Sequence, residues 1–175
     1  VRVVIDPATH PRFVADLVRS DVYVRAFAAW LEARGWSCRV PALRIAPERK
    51  DARAYSDHGD LFATPPPGSR FQDRELRIEV KRTSAIFRGR HDWPFSQFYL
   101  IRVDRFDATR PDVIVRVGDD QAACGFVTAA TKRDWWMVDV RDSRYPNEPK
   151  QTCWTCSPNL VQWRSLLVGE PHVAF

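Results

Sequence analysis

Asp57-His58-Gly59-Asp60 and, further along, Arg77-Ile78-Glu79-Val80-Lys81-Arg82 are the two stretches that decide how this chain is read. Side chains in a strand alternate between faces, so Glu79 and Lys81 point one way while Ile78 and Val80 point into a core. One carboxylate and one ammonium therefore share a face. If Asp60 ends the preceding strand of the same sheet, its carboxylate meets that of Glu79, and two hard oxygen donors stand ready for a divalent cation. A solvated strand with an exposed Glu–Lys pair carries the same letters. The Gly-Asp on the earlier segment, a spacing that fits a hairpin, the apolar flanks and the Thr83-Ser84 continuation favour a site over a surface pair.

The chain has 175 residues, enough for one domain that buries most of its apolar surface without metals or disulfides. Apolar residues make up 45%, yet no apolar run approaches the roughly 18 residues of a membrane span, so a soluble protein with no membrane partner is expected. The first residues lack the apolar core of a secretion signal, which makes the cytoplasm the expected compartment. A net charge of +5 and a pI near 9.3 favour an anionic partner such as a nucleic acid. The basic residues are mostly Arg, with Lys only at 50, 81, 132 and 150. Coding bias explains that preference as well as phosphate binding does, but the guanidinium groups are available to phosphates either way.

Val1 to Ile5 reads as a short strand or arm stopped by Asp6-Pro7, and residues 11–19 as a helical turn. The clearest helix runs from Asp21 to Arg34, capped by Ser20 and ended by Gly35, with Val24, Phe27, Ala28 and Leu31 as its buried stripe. Trp36 to Val40 is expected as the first core strand, Tyr55 to Ala63 carries the first acid, and Pro65-Pro66-Pro67-Gly68 forms a stiff turn. Leu76 to Arg82 and Phe98 to Asp104 are the next strands. Val113 to Val117 and Ala122 to Val127 form a hairpin, Trp135 to Val140 another strand, and Leu160 to Leu167 a terminal helix capped by Ser157-Pro158 or Asn159.

Asp60 followed by Glu79-Val80-Lys81 resembles the D…ExK signature of the PD-(D/E)xK nuclease superfamily, with Gly59 where a proline often precedes the first acid. The resemblance implies a restriction-endonuclease-like core of α/β class: a central mixed β-sheet flanked by helices, in which a helix precedes a three-stranded antiparallel meander and a later parallel pair. It is best over residues 21–104, with 1–20 as an N-terminal arm. Residues 105–175 read as a β-rich C-terminal elaboration, because Val113 to Val140 shows strands where a crossover helix and strand are expected. That helix either hides within residues 84–97 or has been replaced.

By the same resemblance the chain is a Mg²⁺- or Mn²⁺-dependent nuclease of the kind found in bacterial, phage and mobile-element genomes, acting on DNA. Asp60, Glu79 and the Val80 main-chain carbonyl would hold the metal, and Lys81 would hold the attacking water or the developing phosphorane charge. Asp57 is a second-shell or alternative ligand, and Ser84 and Gln97 are candidates for contacting phosphate or orienting the lysine. His58 reads as a surface or hydrogen-bonding residue. Asp21 reads as a helix N-terminal charge and Glu32 as a solvated helix residue. Arg82, Arg88 and Arg90, beside Trp93 and Phe95, suit backbone contacts and base stacking, or equally a solvated loop with its aromatics in the core. Dimerisation is an open expectation, since one such site cuts one strand.

Cys153-Trp154-Thr155-Cys156 invites a zinc or redox reading, but no second ligand pair follows and no thioredoxin-like pattern surrounds it, so ordinary thiols are expected. Two further function classes remain open: a catalytically inactive nuclease-fold module for DNA binding or protein interaction, and a zinc-stabilised interaction domain built on those cysteines.

Overall fold

The computed structural model of the chain describes residues 9–42, 45, 47, 60–69, 73–141 and 149–167. The expected arm strand at Val1 to Ile5, and Asp57 and His58, lie outside the described residues. The architecture is α/β: one long helix, one mixed six-stranded sheet, and a second, three-stranded sheet with a short helix on the other side.

Helix α1 spans Thr9–Glu32 without interruption. The expected break at Ser20 does not occur, because its hydroxyl donates to the Asp16 carbonyl one turn back (2.8 Å) instead of capping a new helix. Pro11 falls in the first turn, where its missing N–H costs nothing. The helix ends as Gly35 predicts: Gly35 has φ +82°, its N–H donates to Glu32, and the Trp36 N–H reaches back to Leu31. Tyr23, Val24, Phe27, Ala28, Trp30 and Leu31 are all buried on the sheet.

Strands β1 (Ser37–Arg39), β2 (Leu61–Thr64) and β3 (Leu76–Arg82) form an antiparallel meander. β1 is shorter than the core strand expected from Trp36 to Val40, and it is an edge strand with Ser37 and Arg39 exposed. The proline turn between β2 and β3 carries Gly68 at φ +85°. β3 is then joined in parallel by β5 (Val113–Val117), which pairs with β6 (Ala123–Thr128), which pairs with β9 (Gln162–Ser165). The main sheet thus draws three strands from beyond residue 104, where the sequence reading turns from core to elaboration.

The connection from β3 to β5 holds the largest departures. β4 (Phe98–Arg102) ends two residues short of the expected Asp104, and helix α2 occupies Val103–Thr109. Residues 84–97 hold only one 3-10 turn, Arg90–Asp92, so the crossover helix sits later than expected. α2 has a single buried pair, Phe106 and Thr109, too short a pattern to reveal a period, and it stops at Arg110 in the left-handed region (φ 45°) before Pro111. β4 pairs not with the main sheet but with β8 (Gln151–Cys156), which also pairs with β7 (Trp136–Val140).

The expected helix over Leu160 to Leu167 is also overturned. A single 3-10 turn, Pro158–Leu160, is capped by the Ser157 hydroxyl accepting from the Asn159 N–H, and β9 follows. Trp163 on that strand packs against Phe87, Trp93 and Phe98 in a second core, which also takes Ile114 and Val127 from the main sheet. Each face of the main sheet is therefore buried, one by α1 and the other by the small sheet and α2. Packing is tight at Gly125, where a Cβ would stand 2.8 Å from Val161 Cγ1 and 3.0 Å from Phe98 and Trp163.

Candidate active site

β3 presents two unlike faces. Leu76, Ile78 and Val80 enter the α1 core, while Arg77, Glu79 and Lys81 alternate onto the opposite face. The last ladder pair between β2 and β3 joins Leu61 to Ile78, so beyond it the β2-facing edge of β3 is open to other partners. Asp60 takes that place: its Oδ2 accepts the main-chain N–H of Val80 at 2.8 Å. Since the N–H and C=O of one strand residue project to the same side, the Val80 carbonyl also faces Asp60.

Glu79 has no exposed surface. Its Oε1 receives Lys81 Nζ at 2.6 Å and Arg105 Nε at 3.4 Å, and Lys81 Nζ lies 3.6 Å from Asp60 Oδ2. Oε2 of Glu79 is buried with no hydrogen-bond partner among the described residues. A buried carboxylate oxygen without a partner costs of the order of 1–3 kcal/mol, which singles out Oε2 as an acceptor with capacity to spare. Burial on its own raises the Glu79 pKa, but the charges of Lys81 and Arg105 and their hydrogen bonds outweigh it and hold the carboxyl below its ordinary value. Lys81 moves the other way: desolvation lowers its pKa, and the two carboxylates more than restore it, so the ammonium is kept above its ordinary value. The two carboxylates thus favour the charged form of Lys81.

No family model, curated protein or solved structure matches the chain. The residues alone carry the assignment of a site. Among the described residues no three His, Cys, Asp or Glu side chains converge. The pair Asp60 and Glu79 with the Val80 carbonyl still fits a hard cation that keeps several waters, because Mg²⁺ usually takes only one or two carboxylates from the protein, and the bare Oε2 is the acceptor it would need.

The other expected residues fall away from this cluster. Arg82 lies on the α1 face, where Asp119 (2.7 Å and 2.8 Å) and the Tyr23 hydroxyl hold it. Arg88 pairs with Asp120 at 2.6 Å and Arg90 bonds Asn159 at 3.2 Å. Trp93 is buried, so of the two aromatics beside them only Phe95 is exposed. Gln97 accepts from the Thr155 hydroxyl on β8 (3.4 Å), and Ser84 is exposed. Glu32 is exposed, and Asp21 pairs with Arg25 at 2.6 Å in mid-helix.

A basic row does flank the cluster on its own face. The register Arg39–Phe62–Arg77 places those three side chains together, with the Arg39 guanidinium 4.1 Å and that of Arg77 5.6 Å from the Phe62 ring centre. Arg105 and this row are what sequence reading missed. Arg105 is 26 positions from Glu79 and lay beyond the expected strand, so nothing local signalled it. The cysteines are all free, and Cys153 and Cys156, three apart on β8, face opposite sides of that strand and cannot grip one ion.

Proposed function

We propose that the chain is a metal-dependent nuclease that hydrolyses phosphodiester bonds of DNA, built on a restriction-endonuclease-like core. The observation that carries this reading is that Asp60, held on the Val80 N–H, and Glu79 both lie within reach of Lys81, with Glu79 Oε2 buried and without a hydrogen-bond partner among the described residues. The order of elements is compatible with it: helix, three antiparallel strands and, after the inserted β4 of the second sheet, a helix and a strand parallel to the third. Mg²⁺ or Mn²⁺ held by Asp60, Glu79 and the Val80 carbonyl would supply an activated water and neutralise phosphate charge.

The chain's own groups do the rest. The Val80 N–H fixes the Asp60 carboxylate, and the Lys81 ammonium donates toward the water or the phosphoryl oxygens as negative charge grows there. Arg39 and Arg77, stacked on Phe62 along the same face, offer positive charge to the strand on either side of the reacting phosphate. Burial disfavours the charge on Glu79, and Lys81 and Arg105 are what keep it ionised.

Purified protein with Mg²⁺ or Mn²⁺ should nick or degrade DNA, and Glu79→Ala or Lys81→Ala should abolish this while the chain remains folded. Full activity in both variants would sink the reading. One observation favours the alternative, an inactive DNA-binding or interaction module: Lys81 and Arg105 already balance Asp60 and Glu79 without a metal. Calorimetry with Mn²⁺ separates the two, because the enzyme takes up the ion and loses it on Asp60→Asn.

A further inference from the structure

Arg105 is placed with more care than an incidental ion pair requires. Its helix is pinned by Phe106 and Thr109, both buried, and the Thr109 hydroxyl donates to the Arg105 carbonyl at 2.9 Å. Arg77 of β3 in turn donates to the Thr109 carbonyl, and its main-chain N–H donates to Asp112 at 2.9 Å. The helix that carries Arg105 is thus bound to the strand that carries Glu79. The side chain is 25% exposed and bonds the fully buried Glu79, so Arg105 links that carboxylate to the surface.

Charge decides what the site accepts. Asp60 and Glu79 contribute two negative charges and Lys81 and Arg105 two positive ones, so the charges of these four groups sum to zero. A divalent cation drawn to the two carboxylates leaves the site positive by two, with Lys81 and Arg105 no longer needed to compensate them. The complement of such a site is an anion, and the planar fork of a guanidinium matches two oxygens of one phosphate, whereas the ammonium of Lys81 acts as a point charge.

Building on the nuclease reading above, we propose that Arg105 is a further catalytic residue, which leaves Glu79 when the metal enters and binds the phosphate that is to be cut. The guanidinium and the metal are then linked: each weakens the other's hold on Glu79 alone, and the substrate phosphate is what lets both stay.

The test is binding of a phosphorothioate-linked DNA strand, which resists cleavage, measured by fluorescence anisotropy with and without Mn²⁺ over a range of salt. With Mn²⁺, Arg105→Ala should weaken binding at least about tenfold and flatten the salt dependence by about one phosphate contact. Without metal the wild type and the variant should bind alike, because Arg105 is then engaged with Glu79. Arg105→Lys should keep the salt slope and lose several-fold in affinity, and it serves where the alanine variant fails to fold. Equal binding by wild type and both variants in Mn²⁺ would overturn the proposal and assign Arg105 to charge balance alone. A wild type that neither takes up Mn²⁺ in calorimetry nor cuts an unmodified strand would instead overturn the nuclease reading, and this inference with it.

Discussion

Lys81 Nζ stands 2.6 Å from Oε1 of Glu79, a carboxylate with no exposed surface, on a strand whose next side chains on either side point to the opposite core. The pair is what permits a carboxylate to be ionised inside this sheet. Several measurable properties depend on it.

Lys81→Ala should destabilise the protein by about 2 kcal/mol at neutral pH in chemical denaturation. A wholly buried pair broken on one side costs more, about 3–5 kcal/mol, but 36% of the Lys81 side chain is exposed and Arg105 still faces Glu79. The deficit should shrink on acidification, since a Glu79 that has lost its ammonium takes up a proton more readily.

The stability of the wild type should form a plateau between two losses. Glu79 has a lowered folded pKa, so its contribution is present above the unfolded value of about 4.3 and is lost as pH falls through the folded one. Lys81 has a raised folded pKa, so its contribution is full below about 10.4 and is lost as pH rises through the folded value. Denaturant midpoints across pH should show both flanks, and Lys81→Met should remove the part of the alkaline loss that Lys81 causes.

Asp60→Asn should separate metal binding from folding. The amide oxygen keeps a hydrogen bond to the Val80 N–H but loses its charge, a change of about 1 kcal/mol, while Mn²⁺ uptake should fall by more than tenfold. A variant that binds Mn²⁺ as the wild type does would remove Asp60 from the site.

Gly125→Ala should cost about 1–3 kcal/mol, read as a drop in melting temperature. The added Cβ would meet Val161 at 2.8 Å with Phe98 and Trp163 close by, and all three belong to a packed core that has no room to give.

Thiol labelling should divide the native protein from the denatured one, since burial raises the pKa of all four thiols. Burial pushes the Cys124 and Cys156 thiols up to about 12 and Cys38, helped by Glu32, to about 11, so at neutral pH the native protein should react slowly and the denatured protein fully. Metal analysis should return no zinc bound through Cys153 and Cys156.

What the sequence disclosed, and what it hid, follow from range. β3 was legible to the residue because its alternation is local, and so was the end of α1, because Gly35 is a local signal. The hairpin of β5 and β6 was legible from its turn, but its place beside β3 was not, since register between distant strands leaves no mark on either one. α2 and β9 were misread for a related reason. Seven residues hold too few turns to show a period, and Trp163 in β9 owes its strand conformation to Phe87, Trp93 and Phe98 far away in the chain. The site divides in the same way: Asp60, Glu79 and Lys81 were found from one hairpin, whereas Arg105 needed the whole crossover.

The order in which these groups lie along the chain bears on how the protein is made. Asp60, Glu79 and Lys81 come together when β2 and β3 pair, an event between near neighbours. Arg105 arrives only when the long excursion from β3 to β5 closes, a contact of high sequence separation and hence a late one. Until then the Glu79 face lacks its covering layer and one of its two cations, so the carboxylate is buried in the same step that brings Arg105 to it. The refolding rate therefore carries a record of the same charges as the finished site, and mild acid, which protonates Glu79 in the unfinished state, should ease the step at which the parallel strand docks.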